Sequence, residues 1–171
     1  MARQNRSLQG TLIVITGAAR GIGRATATAL VREGARVVIT DLDQNLAEQT
    51  AAELRAVAGL RLDVTDHPQF TAVLDGIEAK HGAIDVLINN AGIMPLVAFE
   101  DESEQSAARQ VAVNFLAPWY GTQDAIRRMK PRGHGHIVNV ASMAGVVPTP
   151  GAATYCATKH ALVGLTECIS W

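Results

Sequence analysis

Two side chains with acid–base chemistry lie four residues apart near the end of the sequence. Tyr155 carries a phenol and Lys159 an ammonium group, and a spacing of four places both on one face of a helix, where they can meet. A free phenol ionises near pH ~10, so it needs a nearby positive charge to exchange protons close to neutral pH. The pair therefore predicts a general acid–base site, although the same spacing alone is also typical of an ordinary amphipathic helix.

A glycine-rich segment near the start of the sequence predicts a phosphate-binding loop. Residues Thr16 to Gly23 read TGAARGIG, directly follow an apolar run and open a helical pattern that includes Ile22. In that position Gly17 permits a turn, Gly21 lets the backbone approach a pyrophosphate, and Gly23 lets helix and strand pack closely. The helix N-terminus would supply free N–H groups. A plain tight turn between strand and helix is the alternative.

An acidic residue at the end of the next apolar run strengthens the nucleotide interpretation. Asp41 can accept hydrogen bonds from the 2′- and 3′-hydroxyls of an adenosine ribose and would repel a 2′-phosphate. Arg20, inside the glycine loop, favours the opposite preference because a guanidinium can pair with that phosphate. No basic residue directly follows Asp41, so NAD is predicted over NADP. A turn residue for Asp41 and a solvated charge for Arg20 are the alternatives.

Asp63 and Val64 follow a third apolar run and would lie at the same edge of a parallel sheet. There they could face the adenine of a dinucleotide. A helix-capping role for Asp63 is an equally good interpretation of the sequence.

These residues need a scaffold, and apolar runs alternate along the chain with segments of helical period. That alternation predicts an α/β fold, a doubly wound parallel sheet with helices on both faces, in a single domain over residues 1–171. The predicted strands are Leu12–Ile15, Arg36–Thr40, about Leu60–Leu62, Ile84–Ile88 and Gly135–Val140. The predicted helices run from Gly21 to about Arg32, through Leu46 to Val57, from the Asp66 cap to Gly82, from the acidic segment Glu100–Ser103 to Lys130, and from Ala153 through Trp171.

In the first helix, Ile22, Ala25, Ala29 and Leu30 are predicted to form the buried face, with Gly34 as the stop signal.

Taken together, the motifs resemble the short-chain dehydrogenase/reductase family over essentially the whole chain. They are the glycine loop, the tetrapeptide Asn89-Asn90-Ala91-Gly92, Ser142, and Tyr155-Cys156-Ala157-Thr158-Lys159, in family order. The resemblance implies a Rossmann-like fold and an NAD(P)-dependent oxidoreductase that interconverts an alcohol and a carbonyl compound by hydride transfer. It also implies that Asn89 steadies the sheet, that the backbone of Ala91 and Gly92 passes the adenosine ribose, and that Asn90 is a cofactor-binding residue.

The same resemblance assigns four catalytic positions. It makes Tyr155 the general acid–base, gives Lys159 a further hydrogen bond to the nicotinamide ribose, and makes Ser142 orient the substrate oxygen. Asn114 matches the fourth position, whose backbone carbonyl holds a water on the proton path from the lysine. The sequence adds a local reason, because Pro118 has no N–H to offer that carbonyl. A loop serine and a packing kink are the alternatives for Ser142 and Asn114.

Composition narrows the possible classes of protein. The chain has 171 residues, 48% hydrophobic and 18% charged, with a net charge of −1, so disorder and a strongly basic nucleic-acid-binding surface are not expected. The apolar run after the basic opening Met1 to Arg6 is too short for a signal peptide or membrane anchor. Cys156 and Cys168 have no disulfide or metal-ligand spacing, and His134 and His136 lack a third ligand. We therefore predict a cytoplasmic protein without a metal site. Tyr120 is expected to pack within a helix.

The match to the family is incomplete at the C-terminal end. The last two family strands, a nicotinamide-contacting turn and a substrate lid have no counterpart here, so the domain is expected to be incomplete relative to the family. A homo-oligomer, dimer or tetramer, is expected only for a complete chain. The alternative function is a non-catalytic dinucleotide-binding or partner-binding module, and a lyase or epimerase with a tightly held nucleotide would share the tyrosine and lysine chemistry.

Overall fold

The computed structural model describes residues 7–169, and a five-stranded parallel sheet forms its centre. The strands are β1 Leu12–Thr16, β2 Arg36–Asp41, β3 Ala58–Arg61, β4 Val86–Asn89 and β5 His136–Asn139, in the order β3-β2-β1-β4-β5. The central strand β1 is buried along its whole length, as expected for a parallel sheet covered on both faces. The predicted doubly wound, Rossmann-like α/β fold is confirmed.

Within residues 7–169, six α-helices connect and cover the strands. They are α1 Gly21–Arg32, α2 Gln44–Leu54, α3 His67–His81, α4 Glu104–Val111, α5 Ala117–Met129 and α6 Ala153–Cys168. Helices α1 and α2 enclose one core cluster with Ile13, Ile15 and Ile39, and α3 and α5 enclose the other with Leu12, Val14 and Leu87. The sheet is therefore covered by helices on both faces, and the carboxyl ends of its strands form one edge.

The predicted buried face of α1 is wrong at three of its four positions. Ile22, Ala25 and Ala29 are exposed, while Gly23 and Ala27 are buried and Leu30 packs against the core. The glycine explains the difference. A Cβ on residue 23 would lie 2.6 Å from the carbonyl oxygen of Gly17, so this residue must face the β1 turn, and Ile22 is thereby turned away from the sheet.

The second helix and third strand also differ from the predicted bounds. The αL conformation of Arg55 (φ 57°) ends α2 after Leu54, so Val57 lies outside the helix. The Val57 N–H instead donates to the carbonyl of Val37 at 2.7 Å and starts the pairing of β3 with β2. Strand β3 therefore covers Ala58–Arg61, and Leu62 follows it.

The long helix has the predicted ends but is not regular. Ser103 caps α4 by accepting a hydrogen bond from the Ser106 N–H, and a π-helical segment, Ala112–Leu116, joins α4 to α5. Pro118 is the second residue of α5, two positions after the end of this segment, and cannot donate to a carbonyl one turn earlier. Asn114 is therefore in a distorted part of the helix.

The last helix starts at Ala153 as predicted but ends at Cys168, followed by a turn at Ile169. The rest of its predicted course, Ser170 and Trp171, and the basic opening Met1 to Arg6 lie outside the described residues. Between residues 7 and 169, no helix has both the length and the apolar character needed to cross a bilayer.

Candidate active site

A cleft of about 1060 Å³ lies along the carboxyl edge of the sheet. It extends from the β2 end, at Asp41, to the start of α6, at Tyr155 and Lys159. Every residue assigned above to cofactor binding lines this cleft: Gly17, Arg20, Gly21, Ile22, Gly23, Asp41, Asp63, Val64, Asn90, Ala91, Gly92, Tyr155 and Lys159. The fold thus brings together residues that are far apart in the sequence. Their contacts with a cofactor stay a prediction.

Close backbone approach shapes the glycine loop. Gly17 has φ +62°, and a Cβ there would lie 2.9 Å from the Cα of Ala91. The side chain of Asn90 holds the loop in place, because its Nδ2 donates to the carbonyls of Thr16 at 2.8 Å and Gly17 at 3.0 Å. A side chain at position 17 would push β1 and β4 apart at their carboxyl ends.

The N-terminus of α1 opens into the cleft without a cap from its own sequence. Arg20 makes no side-chain cap bond, and no acidic residue occupies the first turn. The first N–H groups of a helix lack intrahelical partners and carry partial positive charge. This end of the cleft therefore has the donors that a phosphate requires.

Asp41 is 8% exposed, and its carboxylate already has partners in the protein. Oδ2 accepts from the Ala19 N–H at 3.2 Å and Oδ1 from the Asp43 N–H at 3.3 Å. The guanidinium of Arg20 lies 3.7 Å from Oδ1 and is largely exposed. The two residues that favour opposite cofactors thus form an ion pair at the β2 end of the cleft.

The carboxylate of Asp63 is held by the next turn of the chain. Oδ1 accepts from the Thr65 N–H at 3.0 Å and from Thr65 Oγ1 at 2.7 Å, and these bonds lower the pKa of Asp63. Asp66 caps α3 by accepting from the Gln69 N–H. The helix-capping interpretation of Asp63 is therefore wrong.

Tyr155 and Lys159 meet at the inner end of the cleft. Lys159 Nζ lies 5.7 Å from the centre of the Tyr155 ring and donates to the carbonyl of Val140 at 2.7 Å. Lys159 is only 4% exposed, and this burial lowers the pKa of its ammonium group by disfavouring the charged form. The two side chains thus lie together at one end of the cleft, as the spacing predicts, and their acid–base role stays a prediction.

Ser142 lies just after β5, as predicted, and caps a short 3-10 turn. Its Oγ accepts from the Ala144 N–H at 3.1 Å, and the residue is not among those that line the cleft. Its hydroxyl hydrogen stays available for another acceptor, since this bond uses only a lone pair. Its substrate-orienting role stays a prediction.

Asn114 is completely buried and links three parts of the molecule through its side chain. Oδ1 accepts from the Ile93 N–H at 2.9 Å, and Nδ2 donates to the Ile93 carbonyl at 2.8 Å and to Thr158 Oγ1 at 3.3 Å. A regular α-helix at Asn114 would have contradicted the proposed water relay. Asn114 instead lies in a π-helical segment. The relay through the Asn114 carbonyl stays a prediction.

The cleft has further walls besides the predicted cofactor residues. Ile93 and Met94 belong to segment 93–99, an apolar pocket segment in the sequence, and the residues that the sequence reasoning missed are Leu42, Leu62, Thr65, Arg109, Ala112, Val113, Val140 and Ala141. Arg109, Ala112 and Val113 follow helical spacing just before Asn114, so the period of the long helix could have identified them. The others adjoin predicted site residues or strand ends, and only the packing of the loops decides that they face the cleft.

Asn89 ties the sheet to the long helix. Its Nδ2 donates to Asn139 Oδ1 at 2.8 Å, joining β4 to β5, and lies within 3.5 Å of the Pro118 carbonyl.

Tyr120 packs on α3 outside the cleft. Its ring stacks on that of His67 with 4.3 Å between centroids. Among the described residues, no cluster of three or more His, Cys, Asp or Glu side chains could hold a metal ion.

Comparisons with known proteins agree with this architecture. A family model described as short chain dehydrogenase matches residues 11–170. A 2,5-dichloro-2,5-cyclohexadiene-1,4-diol dehydrogenase of Sphingobium indicum is 40% identical over 91% of this chain and 64% of its own length. A 2-(S)-hydroxypropyl-CoM dehydrogenase of Xanthobacter autotrophicus is 42% identical over 94% of this chain and 64% of its own length. The chain thus spans less than two thirds of these relatives.

A solved structure gives the same fold. The short-chain dehydrogenase/reductase of Burkholderia phymatum, crystallised in complex with NAD, superposes with a TM-score of 0.92 at 33% identity, covering 96% of this chain and 60% of that one.

Proposed function

The chain belongs to the short-chain dehydrogenase family of oxidoreductases, and from that membership we propose that it interconverts an alcohol and a ketone or aldehyde with NAD(H). The observation that carries the proposal is the single cleft that holds a glycine loop at one end and the Tyr155–Lys159 pair at the other. Nucleotide binding alone would not require the acid–base pair.

The residues present fit a nicotinamide dinucleotide. The uncapped N-terminus of α1 and the side-chain-free surface at Gly17 and Gly21 suit a diphosphate, and Asp41 suits a ribose diol. When bound, the nicotinamide supplies a hydride acceptor or donor. Gly92 and the Lys159 ammonium border the inner end of the cleft, where that ring would lie.

Tyr155 exchanges the proton of the substrate oxygen. The adjacent Lys159 charge favours the phenolate and so makes proton transfer possible near neutral pH. Because the Lys159 ammonium is buried, its field acts on the phenol with little screening by water.

Ser142 and Asn114 complete the proposed machinery. The Ser142 hydroxyl orients the substrate oxygen, and the Asn114 carbonyl binds a water that carries protons towards Lys159. The regular α-helix is interrupted at Asn114, four residues before Pro118, and this supports the role of the carbonyl.

We propose NAD as the preferred cofactor. A 2′-phosphate would approach the nearly buried Asp41 carboxylate, and the Arg20 cation that could offset this repulsion already lies 3.7 Å from it. The relative crystallised with NAD supports the class of cofactor without deciding between NAD and NADP.

The substrate is proposed to be an uncharged, apolar alcohol or ketone. Segments 90–103 and 140–152 precede α4 and α6, and exposed apolar side chains lie along both: Met94, Leu96, Phe99, Met143, Val146 and Val147. Neither segment contains Lys, Arg or His, and the first ends in acidic residues. An anionic substrate would find no counter-charge there.

Two further proposals concern the whole protein. The outer side of the long helix exposes Val111, Leu116 and Trp119, which supports a homo-oligomer that light scattering would test. Cys156 and Cys168 are both free thiols, which supports a location in the reducing cytoplasm.

Turnover tests the central proposal. Purified protein is incubated with NAD⁺ and a series of apolar secondary alcohols, and NADH is followed by absorbance. Release of NADH into solution supports the oxidoreductase and counts against a lyase or epimerase that retains its nucleotide. NADH binding without turnover of any alcohol or ketone would instead support the non-catalytic module.

A further inference from the structure

A polar cluster beside the start of α6 has no role in the site described so far. Glu102, two residues before α4, accepts hydrogen bonds through Oε2 from Thr154 Oγ1 at 2.5 Å and through Oε1 from Ser106 Oγ at 3.3 Å and from Gln110 Nε2. Gln110 is 1% exposed, and Glu102 and Thr154 are half-buried. None of the four lines the cleft. One carboxylate thus joins α4 to α6.

The N-terminus of α6 lacks a cap of its own. Ala152 at the N-cap has no side-chain acceptor, and the first turn contains no acidic residue. Free N–H groups and the positive end of the helix dipole favour a nearby carboxylate. Glu102 supplies that negative charge from a different element, through the hydroxyl of Thr154.

Tyr155 is the residue that this anchoring affects most. It lies in the first turn of α6, where helices fray, whereas Lys159 lies one turn further on and is held by its own bond to the Val140 carbonyl. A second tie, from the Val97 N–H to the Gly151 carbonyl at 3.0 Å, joins the two segments in front of this turn. The position of the phenol relative to the ammonium group therefore depends on how the first turn is held.

We propose that Glu102 and Thr154 are positioning residues, which hold the first turn of α6 against α4 and so set the Tyr155 phenol relative to Lys159. The inference rests on the proposed oxidoreductase function for its effect on turnover. The geometric part, in which Glu102 and Thr154 hold the first turn of α6, does not depend on that function.

Thr154→Val tests the contact with little change in volume and none in charge. We expect kcat to fall roughly tenfold, because a small displacement of a reacting group is enough for such a loss, with the NADH dissociation constant unchanged within about twofold, since no cofactor-binding residue is altered. Thr154→Ser, which keeps the hydroxyl, should restore most of kcat. Glu102→Gln, which keeps one acceptor oxygen, should lie between wild type and Thr154→Val.

Thr71→Val is the matched control. Thr71 Oγ1 also donates to a carboxylate on a neighbouring helix, Asp124 Oδ2 at 2.7 Å, but between α3 and α5 and away from the cleft. It should lower the unfolding temperature comparably and leave kcat of the folded protein unchanged.

A second readout does not need turnover. Amide hydrogen exchange of peptides that cover residues 153–156 reports how firmly the first turn of α6 is held. Thr154→Val should speed this exchange severalfold, because the turn loses its hydrogen bond to Glu102, and Thr154→Ser should restore the slow exchange. Thr71→Val should leave it unchanged.

The outcomes separate the two proposals. If Thr154→Val changes neither kcat nor the exchange of the first turn of α6 beyond the control, or if Thr154→Ser fails to restore them, the positioning role is overturned. If the wild-type protein turns over no substrate but the exchange changes as expected, the anchoring of the first turn is supported and the oxidoreductase proposal fails.

Discussion

At the residue scale, a phenol and a buried ammonium group share one end of the cleft. Lys159 is kept among protein atoms by its bond to Val140, and its burial disfavours the charge that the phenolate requires. The fold therefore places a desolvated cation 5.7 Å from the centre of the phenol ring, where the proposed reaction requires positive charge.

Tyr155→Phe removes the phenol hydroxyl and keeps the ring. We expect kcat to fall by roughly 10²–10⁴-fold, the usual contribution of general acid–base catalysis, with NADH affinity nearly intact. Steady-state kinetics and NADH fluorescence titration measure the two quantities. A comparable loss of both would contradict the assigned role.

Asp41→Ala removes the carboxylate at the end of β2 and leaves Arg20 without its partner. NADPH affinity relative to NADH should rise by about tenfold or more, because repulsion of a 2′-phosphate is replaced by attraction to a free guanidinium. Competition binding of the two reduced cofactors measures the ratio. An unchanged ratio would remove Asp41 from the ribose site.

Lys159→Met tests the buried charge through the pH dependence of stability. Burial lowers the pKa of Lys159 in the folded protein, so between that pKa and the ordinary value of 10.5 the unfolded chain binds more protons. Wild-type stability should therefore gain from Lys159 as pH rises through this window, and the gain is lost below the folded pKa.

The quantity to compare is the difference in free energy of unfolding between the wild type and Lys159→Met. Urea unfolding at a series of pH values from neutral upwards should show that the wild type becomes more stable relative to Lys159→Met as the pH rises. A constant difference across the range would mean that the ammonium group is not desolvated.

At the scale of elements, two glycines with opposite surroundings show where the fold requires the absence of a side chain. Gly17 has a positive φ and faces Ala91, whereas Gly76 lies on the exposed side of α3, where a Cβ would have no atom within 4 Å. The close approach of β1 and β4 requires a glycine at position 17, whereas the glycine at position 76 only weakens a helix.

Gly76→Ala should raise the free energy of unfolding by about 0.5–1 kcal/mol, because alanine loses less backbone entropy in a helix. Gly17→Ala should lower it and weaken NADH binding, since the loop must move away from Ala91. Chemical denaturation and NADH titration measure both variants. Equal effects of the two substitutions would contradict this account of the glycine loop.

At the scale of the whole molecule, the cleft lies between loops from both halves of the sheet. The glycine loop follows β1 and Asp41 ends β2, while Gly92 and Val140 come after β4 and β5. The strand order changes direction at β1 and β4, and ligands of open parallel sheets bind at such a switch point. A ligand in the cleft would therefore connect the two halves.

Binding there should stabilise the entire fold. At a free NADH concentration of 100 times its dissociation constant, the free energy of unfolding should rise by about 2.7 kcal/mol. Thermal unfolding with and without NADH measures the effect, and Gly17→Ala at the same NADH concentration should show a smaller increase. An unfolding temperature that is insensitive to NADH would contradict binding to the folded state.

The sequence by itself determined the strands to within a few residues, the helix cap at Asp66, the start of the long helix at the acidic segment that ends at Ser103, the glycine turn and the spacing that brings Tyr155 and Lys159 together. Each depends on contacts within a few residues, where backbone geometry restricts the outcome. The α/β class and the parallel sheet also followed from the alternation of elements, whereas the strand order β3-β2-β1-β4-β5 is known only from the structure.

Only the tertiary structure decided which sides of these elements meet. Three examples are the orientation of α1 that turns Ile22 towards the cleft, the approach of Arg20 to Asp41, and the bond between Glu102 and Thr154. Neither the helical nor the strand period of the sequence predicts these contacts. Such contacts depend on how loops pack on a finished sheet, where one side chain such as that of Asn90 or the lack of one at Gly23 sets the approach of whole elements.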